Sequence, residues 1–131
     1  TPVLELGASH ACGFYDGFVL AVPKAERAAF EAFARFCDPV FMEHGAVWAV
    51  EAWEEEVPDG KLTDFRRAVA ARPDEAIVFS WVQWPDRAAR DAGNARVHAD
   101  PRLSGQGCPF EMSRMIYGGF APVLQTGAVG G

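Results

Sequence analysis

Three polar residues spaced four apart are the first candidates for chemistry in this chain. Arg90, Asn94 and His98 share one face of any helix that carries them. A guanidinium, an amide and an imidazole in one strip would hold an anionic or carbonyl-bearing ligand, provided the strip faced a cleft between helix and sheet. The plainer arrangement is a solvated face, with Arg90 paired to Asp86 along the same helix. Glu51 is the second candidate. It shares a strand face with Trp53 in an apolar run, where burial would raise its pKa and make it a base. Pairing with Arg114 or Arg66 would instead keep it an ordinary ion-paired carboxylate. Trp53, Trp81 and Tyr117 form a third set, able to line an aromatic pocket or to fill a core.

Other chemistry finds little support. Cys12, Cys37 and Cys108 are an odd number of cysteines without Cys-x-x-Cys spacing, which reads as reduced thiols in a cytoplasmic protein. His10 and Cys12 are two ligands where a tetrahedral site needs four, so no metal is expected. Cys108, before Pro109, has the best chance of exposure among the thiols, with nothing nearby to lower its pKa. There is no Gly-rich phosphate loop, no nucleophile elbow and no Ser–His–carboxylate order. No cofactor is called for and no reaction is read from the motifs.

The elements that must position these residues are organised around Glu75–Arg102. From Ile77 to Trp84 every residue except Ser80 and Gln83 is apolar, which suits a strand covered on both faces. Pro85 ends it, and Asp86 is a plausible N-cap for a helix running towards Pro101. That helix is small on its surface: Ala88, Ala89, Ala92, Gly93 and Ala95. Gly93 costs ~1 kcal/mol relative to alanine inside a helix. Close packing against Trp81 or Phe79 would offset this, whereas a hollow there would be a ligand cleft.

Earlier in the chain, Phe14–Val22 reads as a strand ending at Pro23. Lys24–His44 reads as an amphipathic helix on Phe30, Phe33, Cys37, Val40 and Phe41, with Gly45 as its stop. Pro39 inside it predicts a kink or a restart. Ala46–Glu54 is the next strand. Val57-Pro58-Asp59-Gly60 is a turn. Thr63 is a candidate cap for a short helix over Asp64–Ala71, a strand being the alternative there. Met112–Val123 is the last strand, in which Gly118-Gly119 suggests a bulge or a close backbone approach. Residues 1–13 read as an N-terminal extension, 14–124 as one domain and 125–131 as a frayed tail.

At 131 residues, half of them hydrophobic with ten Phe and four Trp, the chain is one globular domain. Its net charge of −6, with Lys and Arg scattered, argues against nucleic acid or an anionic membrane surface as partner. No apolar run approaches the ~18–20 residues of a spanning helix. No basic-then-apolar leader follows Thr1, so no signal peptide is expected.

The order of elements is βαββαβ with a short helix inserted between the middle strands. This is the ferredoxin-like α+β arrangement, a four-stranded antiparallel sheet with two long helices on one face. Apolar residues nevertheless lie on both faces. The second face should therefore bury against another sheet, most economically a second copy.

Six segments stand out together: Tyr15-Asp-Gly-Phe-Val, Val57-Pro-Asp-Gly-Lys-Leu-Thr-Asp-Phe-Arg, Val78-Phe-Ser-Trp, Arg90-Asp-Ala, Asp100-Pro-Arg and Arg114-Met-Ile-Tyr-Gly-Gly-Phe. In these the chain resembles the YbaA-like family of small bacterial proteins of unknown function. The segments span Tyr15 to Phe120 in order, and the first 14 residues lie outside the pattern. The resemblance implies the dimeric α/β-barrel superfamily, in which two ferredoxin-like sheets pack face to face, and it lends no catalytic residues. The expectation is a homodimeric small-molecule-binding domain. A cofactor-independent monooxygenase-like enzyme is an alternative by fold analogy, and a purely structural dimer is another.

Overall fold

The computed structural model describes residues 2–11 and 13–127; the readings of Cys12 and of residues 128–131 of the tail fall outside them. Five strands form one antiparallel sheet: β1 (Pro2–Gly7), β2 (Phe14–Pro23), β3 (Trp48–Trp53), β4 (Glu75–Trp84) and β5 (Ile116–Phe120). Their order is β1-β3-β4-β2-β5, an open sheet rather than a closed barrel. Three α-helices accompany it: α1 (Arg27–Glu43), α2 (Phe65–Ala68) and α3 (Arg87–Ala99).

The expected count of four strands is corrected by β1. Within the segment read as an extension, Pro2–Gly7 pairs with β3, from Pro2 opposite Ala52 to Gly7 opposite Trp48, across one irregularity near its start. Val3, Leu4 and Leu6 supply its apolar side chains, and Leu4 is buried among core residues of α1 and β2. The C-terminal tail is held as well. Gln125 donates to the Ser9 hydroxyl at 2.8 Å and the His10 carbonyl at 2.9 Å, and accepts from the Tyr15 hydroxyl at 2.9 Å.

Strands β2 and β4 are the middle of the sheet and the most apolar. They pair in unbroken register from Phe14 opposite Trp84 to Pro23 opposite Glu75. On one face Leu20, Val22 and Val78 pack against Phe30 and Ala34 of α1. On the same face Ala49, Val82 and Trp84 pack against Phe41 and Met42. Helix α1 runs through Pro39 without restarting. Pro39 and Arg35 are both exposed, so the Arg35 carbonyl that loses its helical partner lies on the water side.

The second face is not wholly bare of helix. The insertion between β3 and β4 folds over one end of it, where Val69, with Val57 and Ala71, covers Val19, Ala21 and Ile77. Asp64, rather than Thr63, caps α2, its Oδ1 accepting from the Arg67 amide at 2.7 Å. The last strand is shorter than expected, because Met112–Arg114 forms a 3₁₀ turn ahead of it. Gly118 and Gly119 sit in regular register with Gly17 and Asp16, without a bulge.

Helix α3 lies close on the sheet, and the residue beneath Gly93 is Trp84, not Trp81 or Phe79. A Cβ at position 93 would sit 2.7 Å from both the Trp84 Cη2 and the His44 carbonyl oxygen, and closer still to Trp84 Cζ3. Trp84 itself is fully buried. Helix propensity alone would make Gly93→Ala stabilising by ~1 kcal/mol. The packing reverses the sign. Gly93→Ala should lower the urea midpoint by the equivalent of ~1–3 kcal/mol at unchanged slope, and Gly93→Leu at least as much. A midpoint raised by alanine would show that α3 has room beneath it.

Candidate functional site

The residues singled out by type and spacing separate into four places. The first is a clamp on Asp16. This aspartate sits on β2, facing α3, and is 5% exposed. Arg90 donates to its Oδ1 from Nη2 at 2.9 Å and from Nε at 3.1 Å; Asn94 donates to Oδ2 at 3.2 Å. The Trp84 indole adds a fourth donor, to Oδ2 at 3.1 Å. The partner of Arg90 is thus Asp16 across the fold, together with Asp91 at 3.0 Å, and not Asp86, which caps α3 through the Ala89 amide at 2.7 Å. The Arg90 guanidinium also lies 5.0 Å over the Phe14 ring. A side chain at Gly119 would strike that ring and that guanidinium at 2.8–2.9 Å. This is the close backbone approach that the paired glycines suggested. His98, on the same helix, is exposed and takes no part. The strip bolts α3 to the sheet through Asp16.

The second place is a pair of carboxyls. Glu51 meets neither Arg114 nor Arg66. Arg114 holds Glu75, with Nη2 to Oε2 at 2.6 Å and Nη1 to Oε1 at 2.8 Å, which keeps the Glu75 carboxyl down to about 2. Arg66 reaches Glu54 at 3.4 Å and backbone carbonyls of Glu75 and Arg72. Glu51 instead faces Asp38 of α1 in a hydrogen-bond contact, with Ser80 opposite it on β4. Burial pushes both carboxyls up, and the Asp38 charge pushes Glu51 further. Neighbouring Cys37 is raised to about 11, by burial first and Asp38 second, so it stays a thiol. The rise at Glu51 was legible from its apolar neighbours. Asp38 was not among the candidates; its place one residue beyond Cys37 on the buried side of α1 was the overlooked signal.

The third place is the uncovered part of the second sheet face. Here Tyr15, Trp48, Phe79, Trp81, Ile116 and Phe120 surround a concavity of about 600 Å³ with Gly17 and Gly118 in its floor. Trp81 stands edge-on to Trp48 at 5.5 Å and to Phe79 at 5.6 Å. Phe65 of α2 packs on Phe79 at 6.2 Å and walls one end. Two of its polar handles are occupied: the Trp48 indole donates to Glu5 at 2.8 Å, and the Tyr15 hydroxyl to Gln125. Phe79, Tyr117 and Phe120 are nonetheless 43%, 74% and 61% exposed.

Trp81 lines this concavity with its ring. Tyr117 borders it, but its place opposite Phe18 puts its ring, stacked on Phe18 at 6.3 Å, towards the other face. Trp53 does not line it. It lies on the helix-covered face, 6.3 Å from Phe30 with the Arg27 guanidinium 5.1 Å over its ring, and forms the fourth place. Tyr15, Trp48, Phe79 and Phe120 were missed as site residues. Alternation along β2, β3 and β4 puts three of them on one face, but nothing local says which face goes uncovered. Among the described residues no helix is long and apolar enough to cross a membrane, and Cys37 and Cys108 are free thiols.

Residues 13–112 match the family described as "Protein of unknown function (DUF1428)". The chain is 46% identical over 113 residues to "Uncharacterized protein YbaA" of Escherichia coli strain K12, an overlap covering 85% of this chain and 97% of that protein. The same figures hold for the protein of that name from Shigella flexneri.

The clamp and the ion pair are each testable by substitution. Arg90→Leu strands a buried aspartate without its cation and should cost ~3–5 kcal/mol. Asn94→Leu removes one donor and should cost ~1–3 kcal/mol. Urea midpoints for both check this, and near-neutral values would mean that Asp16 is solvated. Glu75 has a folded pKa below its unfolded one, so its contribution is present above the ordinary glutamate range and lost as pH falls towards 2. Arg114→Met should lower the melting temperature at neutral pH and flatten its fall between roughly pH 5 and pH 2.

Proposed function

This chain belongs to the DUF1428 family, and from that premise we propose that it works as a homodimer whose facing sheets enclose a small-molecule site. The observation that carries the reading is the aromatic concavity on the sheet face without long helices. Setting β1 aside, the order β3-β4-β2-β5 with α1 and α3 on one side supports a ferredoxin-like core. In that arrangement the opposite face is the one available for a second copy.

The chemistry of the face supports a copy of the same chain as its cover. The side chains lining the concavity are apolar or aromatic, so the centres of two such faces meet without burying a charge, with Glu5 beside Trp48 at the rim. Because the face is hollow in its centre, two copies closing on each other leave an enclosed space. That space suits a planar, uncharged, largely apolar molecule. The monooxygenase-like alternative is less well supported, since Trp84 and the Asp16 clamp fill the region between α3 and the sheet. Free thiols at Cys37 and Cys108 support a reducing, cytoplasmic setting.

Light scattering at micromolar concentration should return twice the 14.2 kDa chain mass, falling to the single-chain value in Trp81→Glu. A monomeric wild type would overturn the dimer. Ligand binding has a separate test. A Cβ at Gly17 would meet only the Phe120 ring, at 3.6 Å, so Gly17→Leu should keep the fold while filling the hollow. Saturable binding of N-phenyl-1-naphthylamine, a neutral planar fluorophore, should be seen in wild type and lost in Gly17→Leu at unchanged melting temperature. Equal binding by both would place the ligand elsewhere.

A further inference from the structure

The Asp38–Glu51 pair lies on the helix-covered face, apart from the aromatic concavity, and nothing said so far uses it. Asp38 is 5% exposed, and its Oδ2 is buried without a hydrogen-bond partner. Glu51, opposite Ser80 in the β3–β4 register, is in hydrogen-bond contact with Asp38 and with Ser80. The titratable groups around the pair are all acidic or neutral. On α1 there is Cys37, from the loop after α3 there is Cys108, and both thiols are held protonated by burial. From β4 comes only the Ser80 hydroxyl, and from β1 Leu4 stands opposite Glu51. Among the described residues no Lys, Arg or His acts on either carboxyl.

Two carboxylates in contact, Asp38 buried and Glu51 partly so, with no cation beside them, resist both being ionised. A proton removes one charge and supplies the donor that the pair otherwise lacks. We infer that Asp38 and Glu51 share one proton in the folded protein at neutral pH, and that losing it in alkaline solution weakens the join between α1 and β3.

Desolvation, joined at Glu51 by the Asp38 charge, raises Asp38 to about 6 and Glu51 to about 9. Unfolded carboxyls titrate near pH ~4. Between these limits the folded chain holds more protons than the unfolded one. The pair's stabilisation is therefore full at acid pH and is lost as pH rises towards 9.

The test is calorimetric unfolding at pH ~7.5 in two buffers of different ionisation enthalpy, for wild type and Glu51→Gln. Wild type should release about one proton more on unfolding than the variant. Its melting temperature should also fall more steeply between pH ~7 and ~9 than that of Glu51→Gln. Equal proton release and parallel profiles would overturn the inference. Should Glu51→Gln fail to fold, infrared difference spectra of wild type decide the matter. A protonated-carboxyl band present at neutral pH and abolished in alkali supports the shared proton; its absence at neutral pH rules it out.

Discussion

The ten-residue pairing of β2 with β4 is the constraint from which the rest of the molecule follows. Both strands carry apolar side chains on both faces, so the sheet they build needs a layer above and a layer below. Helices α1 and α3 supply one layer. The insertion around α2 supplies a fragment of the other, enough to cover Val19, Ala21 and Ile77. The remainder, from Trp48 across Trp81 to Phe120, is left as a hollow. Its position is a consequence of chain economy: a short insertion can shelter one end of a sheet face, but not its middle.

The sheet also shows contrasting ways of keeping a carboxyl out of water. Glu75 stays ionised because Arg114 answers it, helped by backbone donation, and Asp16 is met by Arg90 and by neutral donors. Asp38 and Glu51 have no such partner and answer each other. The first solution locks elements together through paired charges and hydrogen bonds. The second ties the join between α1 and β3 to the proton concentration outside.

Much of this was legible in the sequence, and the failures have a common cause. Local pattern placed β2, β3, β4 and both long helices, because alternation, proline stops and the Asp86 cap act within a few residues. The same pattern put Arg90 and Asn94 on one helical face and gave Glu51 an apolar setting. What it lacked was the identity of distant partners. Asp16 lies 74 residues from Arg90, and the contact with Glu51 depends on how α1 crosses the sheet. Strand β1 was missed for the same reason. Six residues from Pro2 to Gly7 form a strand through pairing with β3, not through any repeat of their own. The mistaken tryptophan under Gly93 is a matter of parity: Trp81 and Trp84 are three apart and so lie on opposite faces of β4.

The absence of a side chain at Gly119 has a further consequence. Phe14 and Arg90 occupy the space where its Cβ would be, Arg90 and Asn94 hold Asp16, and Trp84 completes the group. Positions 14, 16, 84, 90, 94 and 119, drawn from β2, β4, α3 and β5, therefore behave as one unit of inheritance. A change at any of them alters the penalty of changes at the others, so effects there will not add. Descendants of this chain can alter the set only through a narrow series of ordered steps.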